Sequence, residues 1–268
     1  MGRGRKETAM RALVTGAGRR LGRAMALELA RGGHAVAVHY GTSAEAAEEV
    51  ASQIVDEGGQ AVTLQADLLD EAQCQTLLPR AVDALGGPIT CLVNNASVFE
   101  RDTLTCATRD SWDRHMASNL RAPFVLLQAM AAQQGVRELR DAEGEPLAWG
   151  LAVNMIDQRV LKLTPDFMSY TLAKSALWTL TRTAAQALAP WIRVNAIGPG
   201  PTLRGARQTA DQFSRQRAAT ILQRGASSED VTAALAYLLR ARAVTGQMIC
   251  PDGGQHLAWQ TPDSDGLE

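Results

Sequence analysis

Short apolar runs alternate with longer stretches whose apolar positions recur every three to four residues, and this alternation continues almost from end to end. Ala12-Leu13-Val14 is a strand-like run, followed by a glycine turn from Thr15 to Gly22 and a helical pattern through Leu29. Residues 35–39 read as a second strand, 43–58 as a helix, 61–66 as a strand, 70–85 as a helix and 89–93 as a strand. One long helix is expected over 108–133. Leu151-Ala152-Val153 opens a buried strand. Thr164-Pro165-Asp166 then offers a capping hydroxyl, a first-turn proline and a first-turn acid, a helix start whose helix runs to about Ala189. A strand at 192–197, a mobile-looking stretch at 203–224, a helix from Ser228 to Leu239 and a last strand at 246–250 complete the pattern. With no repeats and no break in composition, this is α/β: a single domain built on one doubly wound parallel sheet over 11–259, with flexible tails at 1–10 and 260–268.

Composition changes this picture little. The 268 residues suit one domain, and 46% hydrophobic content excludes global disorder. A net charge of -1 and a pI near 6.4 leave no nucleic-acid footprint. No apolar run reaches membrane-spanning length and no signal peptide is visible, so a cytoplasmic location is expected. Cys74, Cys91, Cys106 and Cys250 have no metal or redox spacing and read as reduced thiols; no metal is expected. The basic run at the start fails the myristoylation pattern because Lys6 stands where Ser or Thr is required.

The candidate chemistry lies around 151–174. Tyr170 and Lys174 are four residues apart and share a helix face, while Asp157 sits where the strand ends. A phenol, an ammonium and a carboxylate thus meet at the carboxyl edge of the sheet, where open α/β folds place ligands. A free tyrosine ionises near pH 10; the ammonium beside it is expected to lower that value, making Tyr170 a proton donor to an atom receiving hydride. Burial favours the protonated form of Asp157 and Lys174 opposes it, and the sequence leaves that balance open.

The first strand, glycine turn and helix form the context of a dinucleotide-binding loop, in which glycine lets the backbone approach a pyrophosphate and the helix N-terminus offers free N–H groups. The second strand ends His39-Tyr40-Gly41-Thr42-Ser43, without the acid that an NAD-specific fold uses for a ribose diol. Arg19, Thr42 and Ser43 can meet a 2′-phosphate, so NADPH is the expected cofactor; Thr42 with Glu45 can equally form a capping box. Asp67, followed by Leu68, can take the adenine amino group or cap the next helix. Asn94-Asn95-Ala96-Ser97-Val98-Phe99 starts as a turn in which side-chain amides bind backbone, and Phe99 just beyond would ordinarily be core. Asn119 in its helix would ordinarily be a packing device.

The ordered set TGAGRRLG, NNAS, Asn119, YTLAK and RVNAIGPG resembles the short-chain dehydrogenase/reductase family, over 12 to about 259. The resemblance implies a Rossmann fold, Tyr170 as general acid, Lys174 as its partner and ribose anchor, and Asn119 in a proton-relay water chain. It places Gly16, Gly22 and Asn95 along the cofactor, with Leu21, His39, Tyr40, Leu68, Ala96, Ser97, Pro199 and Gly200. Two departures are informative. The family usually has serine where this chain has Asp157, and glycine where it has Arg20. Both resemble the pteridine reductase branch, as do the His-Tyr strand end and the ASVF stretch with Phe99. There the arginine and phenylalanine flank a pterin, so Arg20, Ser97, Phe99, Asp157, Tyr170 and Pro201 are the expected substrate contacts. The branch's usual arginine before the serine is Thr42 here, and Arg19 can compensate.

The leading expectation is an NADPH-dependent reductase acting on a pterin or dihydrofolate-like ring. Alternatives are a carbonyl reductase of the 3-oxoacyl thioester type, which Asp157 and Phe99 oppose, and a catalytically idle NADP-binding sensor or scaffold. The tail Gln255-His256-Leu257-Ala258-Trp259 is apolar, and one tryptophan can bury about 150–250 Å². Either Trp259 folds onto its own subunit or, as the resemblance implies, the protein is a homotetramer with Trp259 near the substrate site of another protomer. Truncation after Leu257 is expected to weaken pterin binding more than NADPH binding. A monomer by light scattering, or an unchanged pterin KM after truncation, contradicts the second arrangement.

Overall fold

Each strand of the central sheet sends alternate side chains to opposite faces, and both faces are covered by helices. The computed structural model describes residues 10–134, 136, 138–205 and 208–260, so the expected tails lie almost wholly outside it. The chain runs β1 Arg11–Val14, α1 Arg20–Arg31, β2 Ala35–Tyr40, α2 Ala44–Asp56, β3 Ala61–Gln65, α3 Glu71–Leu85, β4 Cys91–Asn94, α4 Arg109–Met116 and α5 Ala122–Ala131. It continues with a short hairpin, β5 Leu139–Arg140 and β6 Pro146–Leu147, then β7 Gly150–Met155, α6 Met168–Leu188, β8 Ile192–Ile197, α7 Ala210–Ala218, α8 Ser228–Arg240 and β9 Met248–Ile249. The main sheet has the order β3-β2-β1-β4-β7-β8-β9 and every pair in it is parallel. The order reverses between β1 and β4, which opens a crevice at their carboxyl ends.

The two cores follow from the period-2 geometry of the strands. Ala12, Val14, Val36, Val38 and Val153 face α1, α2 and α8 in one cluster. Leu13, Ala37, Leu92, Ala152 and Val194 face α3, α5 and α6 in the other. Polar side chains cross this packing between β4, β7 and α6. Asn94 and Asn154, register partners on β4 and β7, are joined by Nδ2–H of Asn94 donating to Oδ1 of Asn154 at 2.8 Å. Asn154 donates in turn to Thr181 Oγ1 at 2.9 Å, and the Thr181 hydroxyl donates to Leu177 O. This chain pins α6 to the middle of the sheet.

Several elements differ from the sequence expectation. The helix foreseen over 108–133 is α4 and α5 separated by a π turn, Ala117–Arg121, around Asn119. The stretch taken as mobile contains α7, started by a capping box in which Thr209 accepts from Gln212 N–H and the Gln212 side chain answers the Thr209 N–H. Ser227, one residue earlier than expected, caps α8 in a box with Asp230. The last strand is two residues long, β4 is displaced toward its carboxyl end, and the hairpin was not foreseen because two-residue strands carry no periodicity. Helix α6 begins at Met168, not at Thr164. No helix among the described residues is long and apolar enough to cross a membrane.

Candidate active site

The tips of β1 and β4 are stitched together at the switch point. Thr15 Oγ1 accepts the N–H groups of Asn95 at 2.9 Å and Ala96 at 3.0 Å, while Asn95 Nδ2–H donates to Thr15 O and Gly16 O. Gly16 adopts φ +62°, and its N–H donates to Nδ1 of His39 at 3.0 Å. His39 is buried, and burial pushes its pKa down to about 4, so the ring is neutral; Nδ1 accepts and Nε2–H donates to Ala66 O. His39 was expected to touch a cofactor, but both its ring nitrogens are spent on the frame below the loop. Gly22 has no room for a side chain: a Cβ there would meet Gly16 O at 2.1 Å and Asn95 Nδ2 at 2.6 Å.

Arg20 also has a left-handed backbone, φ +55°, the conformation that glycine adopts freely. Its guanidinium reaches over the crevice and donates to Arg204 O at 2.9 Å and Leu203 O at 3.1 Å. Arg19 occupies the N-cap position of α1, and that helix has no acid in its first turn. The Arg19 side chain is exposed and has no hydrogen-bond partner among the described residues. Ser43 is the N-cap of α2 but makes no side-chain cap, so the box proposed for Thr42 and Glu45 does not form and these amides are left to other acceptors. Asp67 does not cap α3; Asp70 does, accepting from Ala72 and Gln73 N–H. Asp67 Oδ1 instead closes a turn onto Leu69 N–H. Leu68 is buried and Tyr40 half-buried against core; the Ser97 hydroxyl donates to Val98 O. On the far side of the crevice, Gly200 N–H donates to Pro251 O, and a Cβ on Gly200 would press on Asp252 at 2.6 Å. Pro199 O accepts from Gln158 N–H, and Pro201 is buried with its carbonyl held by Arg217.

Helix α6 brings the reactive groups in. Its start is not capped locally. Asp102, from the loop after β4, accepts Phe167 N–H and Met168 N–H on its carbonyl and Ser169 N–H on Oδ1. The Ser169 hydroxyl bonds Asp102 Oδ2 and also His115 Nδ1 at 2.7 Å, and His115 Nε2 accepts Glu100 N–H. Thr164, the expected cap, bonds the Arg159 guanidinium instead. A cap from so far away leaves Phe167 at φ +59° as the last residue before the helix.

One turn into α6, the Tyr170 hydroxyl donates to Asp157 Oδ2 at 3.0 Å, and Lys174 Nζ donates to Met155 O at 2.7 Å. Asp157 Oδ1 accepts Arg159 N–H. Burial raises the Asp157 pKa against the opposing pull of Arg159, Tyr170 and Lys174, which closes the balance left open by the sequence. The expected lowering of Tyr170 by Lys174 is not found. Burial, and then the adjacent Asp157 carboxylate, raise the phenol well above its ordinary value. Lys174 sits 5.7 Å from the Tyr170 ring centre and hydrogen-bonds a carbonyl; burial lowers its own pKa to about 8. The phenol is therefore protonated at neutral pH, as a proton donor must be.

Phe99 is not core. It is half-exposed, stacks in parallel on Phe167 at 4.4 Å, and meets the Tyr170 ring edge at 4.7 Å. Asn119 uses its whole amide on Val98, accepting the Val98 N–H and donating to Val98 O, both at 2.9 Å; it fixes the loop that carries Phe99. Trp259 is 67% exposed, so it does not fold onto its own subunit, and within one protomer it is not brought into the site. Phe167, Asp102, Ser169, His115 and Arg159 were not foreseen. Their roles depend on contacts remote in sequence, and only the burial-prone His115 on a polar helix carried a local signal.

A family model described as enoyl-(acyl carrier protein) reductase matches residues 16–256. The crystal structure of FolM alternative dihydrofolate reductase 1 from Brucella suis in complex with NADP aligns with a TM-score of 0.87 at 47% identity, covering 95% of this chain and 98% of that one. The uncharacterized oxidoreductase YgfF of Escherichia coli is 32% identical over 91% of this chain and 99% of its own length. The 3-oxoacyl-[acyl-carrier-protein] reductase FabG of Staphylococcus aureus is 31% identical over 92% and 98%.

The Lys174 environment makes a prediction about stability. Below its folded pKa of about 8 both folded and unfolded chains hold the proton; between there and 10.5 the unfolded chain holds more, so stability rises with pH through this window. Lys174→Met removes that linkage. The stability difference between the two proteins, read by urea unfolding from about pH 7 to about pH 10, is expected to move toward wild type by on the order of 2–3 kcal/mol. A pH-independent difference contradicts it.

Proposed function

The chain belongs to the short-chain dehydrogenase/reductase family, and from that premise we propose that it is an NADPH-dependent reductase of a pterin or dihydrofolate-like ring. The observation that carries the substrate class is the 3.0 Å hydrogen bond from the Tyr170 hydroxyl to the Asp157 carboxyl, with Phe99 against the same phenol. A neutral hydroxyl beside the tyrosine suffices for a ketone oxygen. A ring C=N bond requires a proton on nitrogen, and a carboxylic acid with a raised pKa is suited to resupply it. The 47% identity to the Brucella FolM structure supports the same class.

The described residues fit a dinucleotide. Gly16 and Gly22 clear the backbone at the head of α1, no acid opposes a phosphate in its first turn, Arg19 stands at the N-cap of α1, and Thr42 and Ser43 follow β2, where a 2′-phosphate is distinguished from a diol. NADPH, when bound, supplies the hydride. The chain's own residues do the rest. Tyr170 holds its proton until the ring nitrogen takes it; Asp157 returns a proton to the phenolate; Lys174 offers a ribose its remaining N–H groups; Asn119 fixes Val98, and the turn around it belongs to the proton path. Phe99 offers a face to a flat ring, and Arg20, Ser97 and Pro201 border it. The proposed assembly is a homotetramer in which the exposed Trp259 meets a neighbour's pocket.

A carbonyl reductase is the second reading, favoured by the FabG relative. NADPH oxidation with dihydrobiopterin, dihydrofolate and an acetoacetyl thioester separates the two: turnover of the thioester alone contradicts the proposal. Tyr170→Phe is expected to lower turnover by about 10²–10⁴-fold with cofactor binding retained. Asp157→Ser is expected to damage pterin reduction more than any residual carbonyl reduction; equal losses make Asp157 only a neighbour of Tyr170. NADPH should exceed NADH by at least about tenfold in kcat/KM, roughly 1.4 kcal/mol, and equal use removes the phosphate-binding role of Arg19, Thr42 and Ser43.

A further inference from the structure

Arg159 lies in the short turn Gln158–Val160 directly after Asp157. Its guanidinium carbon is 5.1 Å from the centre of the Phe167 ring, on a ladder that runs from Tyr170 through Phe99 and Phe167. One N–H bonds Thr164 Oγ1, but Nε is buried with no hydrogen-bond partner. Its charge acts on Asp157 at a distance, but no carboxylate bonds the guanidinium among the described residues. Asp157 uses Oδ1 on the Arg159 backbone N–H and Oδ2 on Tyr170. Two other arginines near this loop are paired, Arg101 with Asp166 and Arg114 with Glu100, whereas Arg159 has no ion pair among the described residues. Leu161 and Leu163, on the same loop, are exposed apolar side chains.

We propose that Arg159 is the anion-binding end of the substrate pocket, and that the pocket takes a ring substrate whose tail is an aryl spacer ending in a carboxylate. The proposal rests on the reductase reading above. A guanidinium fork matches a carboxylate bidentately, and an unpaired buried donor gains most from such a partner. Phe99 and Phe167 provide apolar surface between the reacting end and the charge, which a flat aryl group covers better than a polyol does. Arg159 touches no reacting atom; its pull on Asp157 is common to every substrate, so the subsite is read in the difference between substrates.

The test uses the NADPH-loaded enzyme with Arg159→Leu and Arg159→Lys, and three dihydropterins: dihydrofolate, dihydrobiopterin with its neutral tail, and dihydroneopterin phosphate. Arg159→Leu is expected to raise the KM for dihydrofolate at least about tenfold more than that for dihydrobiopterin, with any change in kcat common to the two substrates. Arg159→Lys, which keeps the charge but loses the fork, should fall between. Equal KM changes for the two substrates overturn the proposal, and dependence confined to the phosphate ester overturns the carboxylate assignment. Calorimetric binding of 4-aminobenzoylglutamate to the same proteins needs no turnover. If wild type reduces no pterin yet binds this fragment at least about tenfold more tightly than Arg159→Leu does, the subsite stands and the reductase reading falls. Equal or absent binding, with no Arg159-dependent KM, overturns the subsite.

Discussion

The active centre depends on a helix cap supplied from a distant part of the chain. Asp102 closes the first turn of α6 with both its carbonyl and its carboxylate, and so sets where Tyr170 and Lys174 enter the crevice. Burial works against its ionisation, but hydrogen bonds from Ser169 and Ser111, with His115 nearby, hold its pKa below the ordinary carboxylate range. An ionised carboxylate at a helix N-terminus satisfies orphan amides and complements the helix dipole. Because the same loop carries Phe99 and is held by Asn119, the cap ties Tyr170, the Phe99 ring and the π turn into one unit.

A second constraint acts at the sheet. In a parallel sheet covered on both faces, strand register fixes which tip residues meet. Register places Asn94 against Asn154, and the chain from Asn94 to Thr181 carries that alignment into α6. On the neighbouring tip, Thr15, Asn95 and neutral His39 hold the glycine turn in the shape that Gly16 and Gly22 permit. The cofactor crevice and the reactive helix are therefore positioned by the same β1–β4–β7 triplet.

These placements carry an electrostatic cost. Asp157, Tyr170 and Lys174 are all shifted toward their neutral forms by burial. Burying ionisable groups opposes folding, and the large apolar clusters on both faces of the sheet offset it. In the proposed reaction these shifts serve a donor: a phenol that keeps its proton, next to an acid able to replace it.

Local pattern determined much of this protein. The alternation of apolar runs and amphipathic helices was enough for the doubly wound sheet, and strand 192–197 was legible to the residue because Ile192, Val194 and Ala196 alternate with Arg193 and Asn195 up to the break at Gly198-Pro199. Glycine spacing located the dinucleotide turn, and the four-residue interval put Tyr170 and Lys174 on one helix face. What remained hidden was set between segments. Thr164-Pro165-Asp166 has every local mark of a helix start, yet α6 starts at Met168 because Asp102 provides a better cap from elsewhere. Read locally Phe99 was core, but in the fold it is half-exposed and stacks on Phe167, a partner remote in sequence with a left-handed backbone. The direction of the Tyr170 shift followed from burial and from Asp157 rather than from the neighbouring ammonium. Periodicity and capping are properties of adjacent residues and can be read along a chain; desolvation, remote caps and side-chain stacking exist only once the chain has folded on itself, and only the tertiary structure decided them.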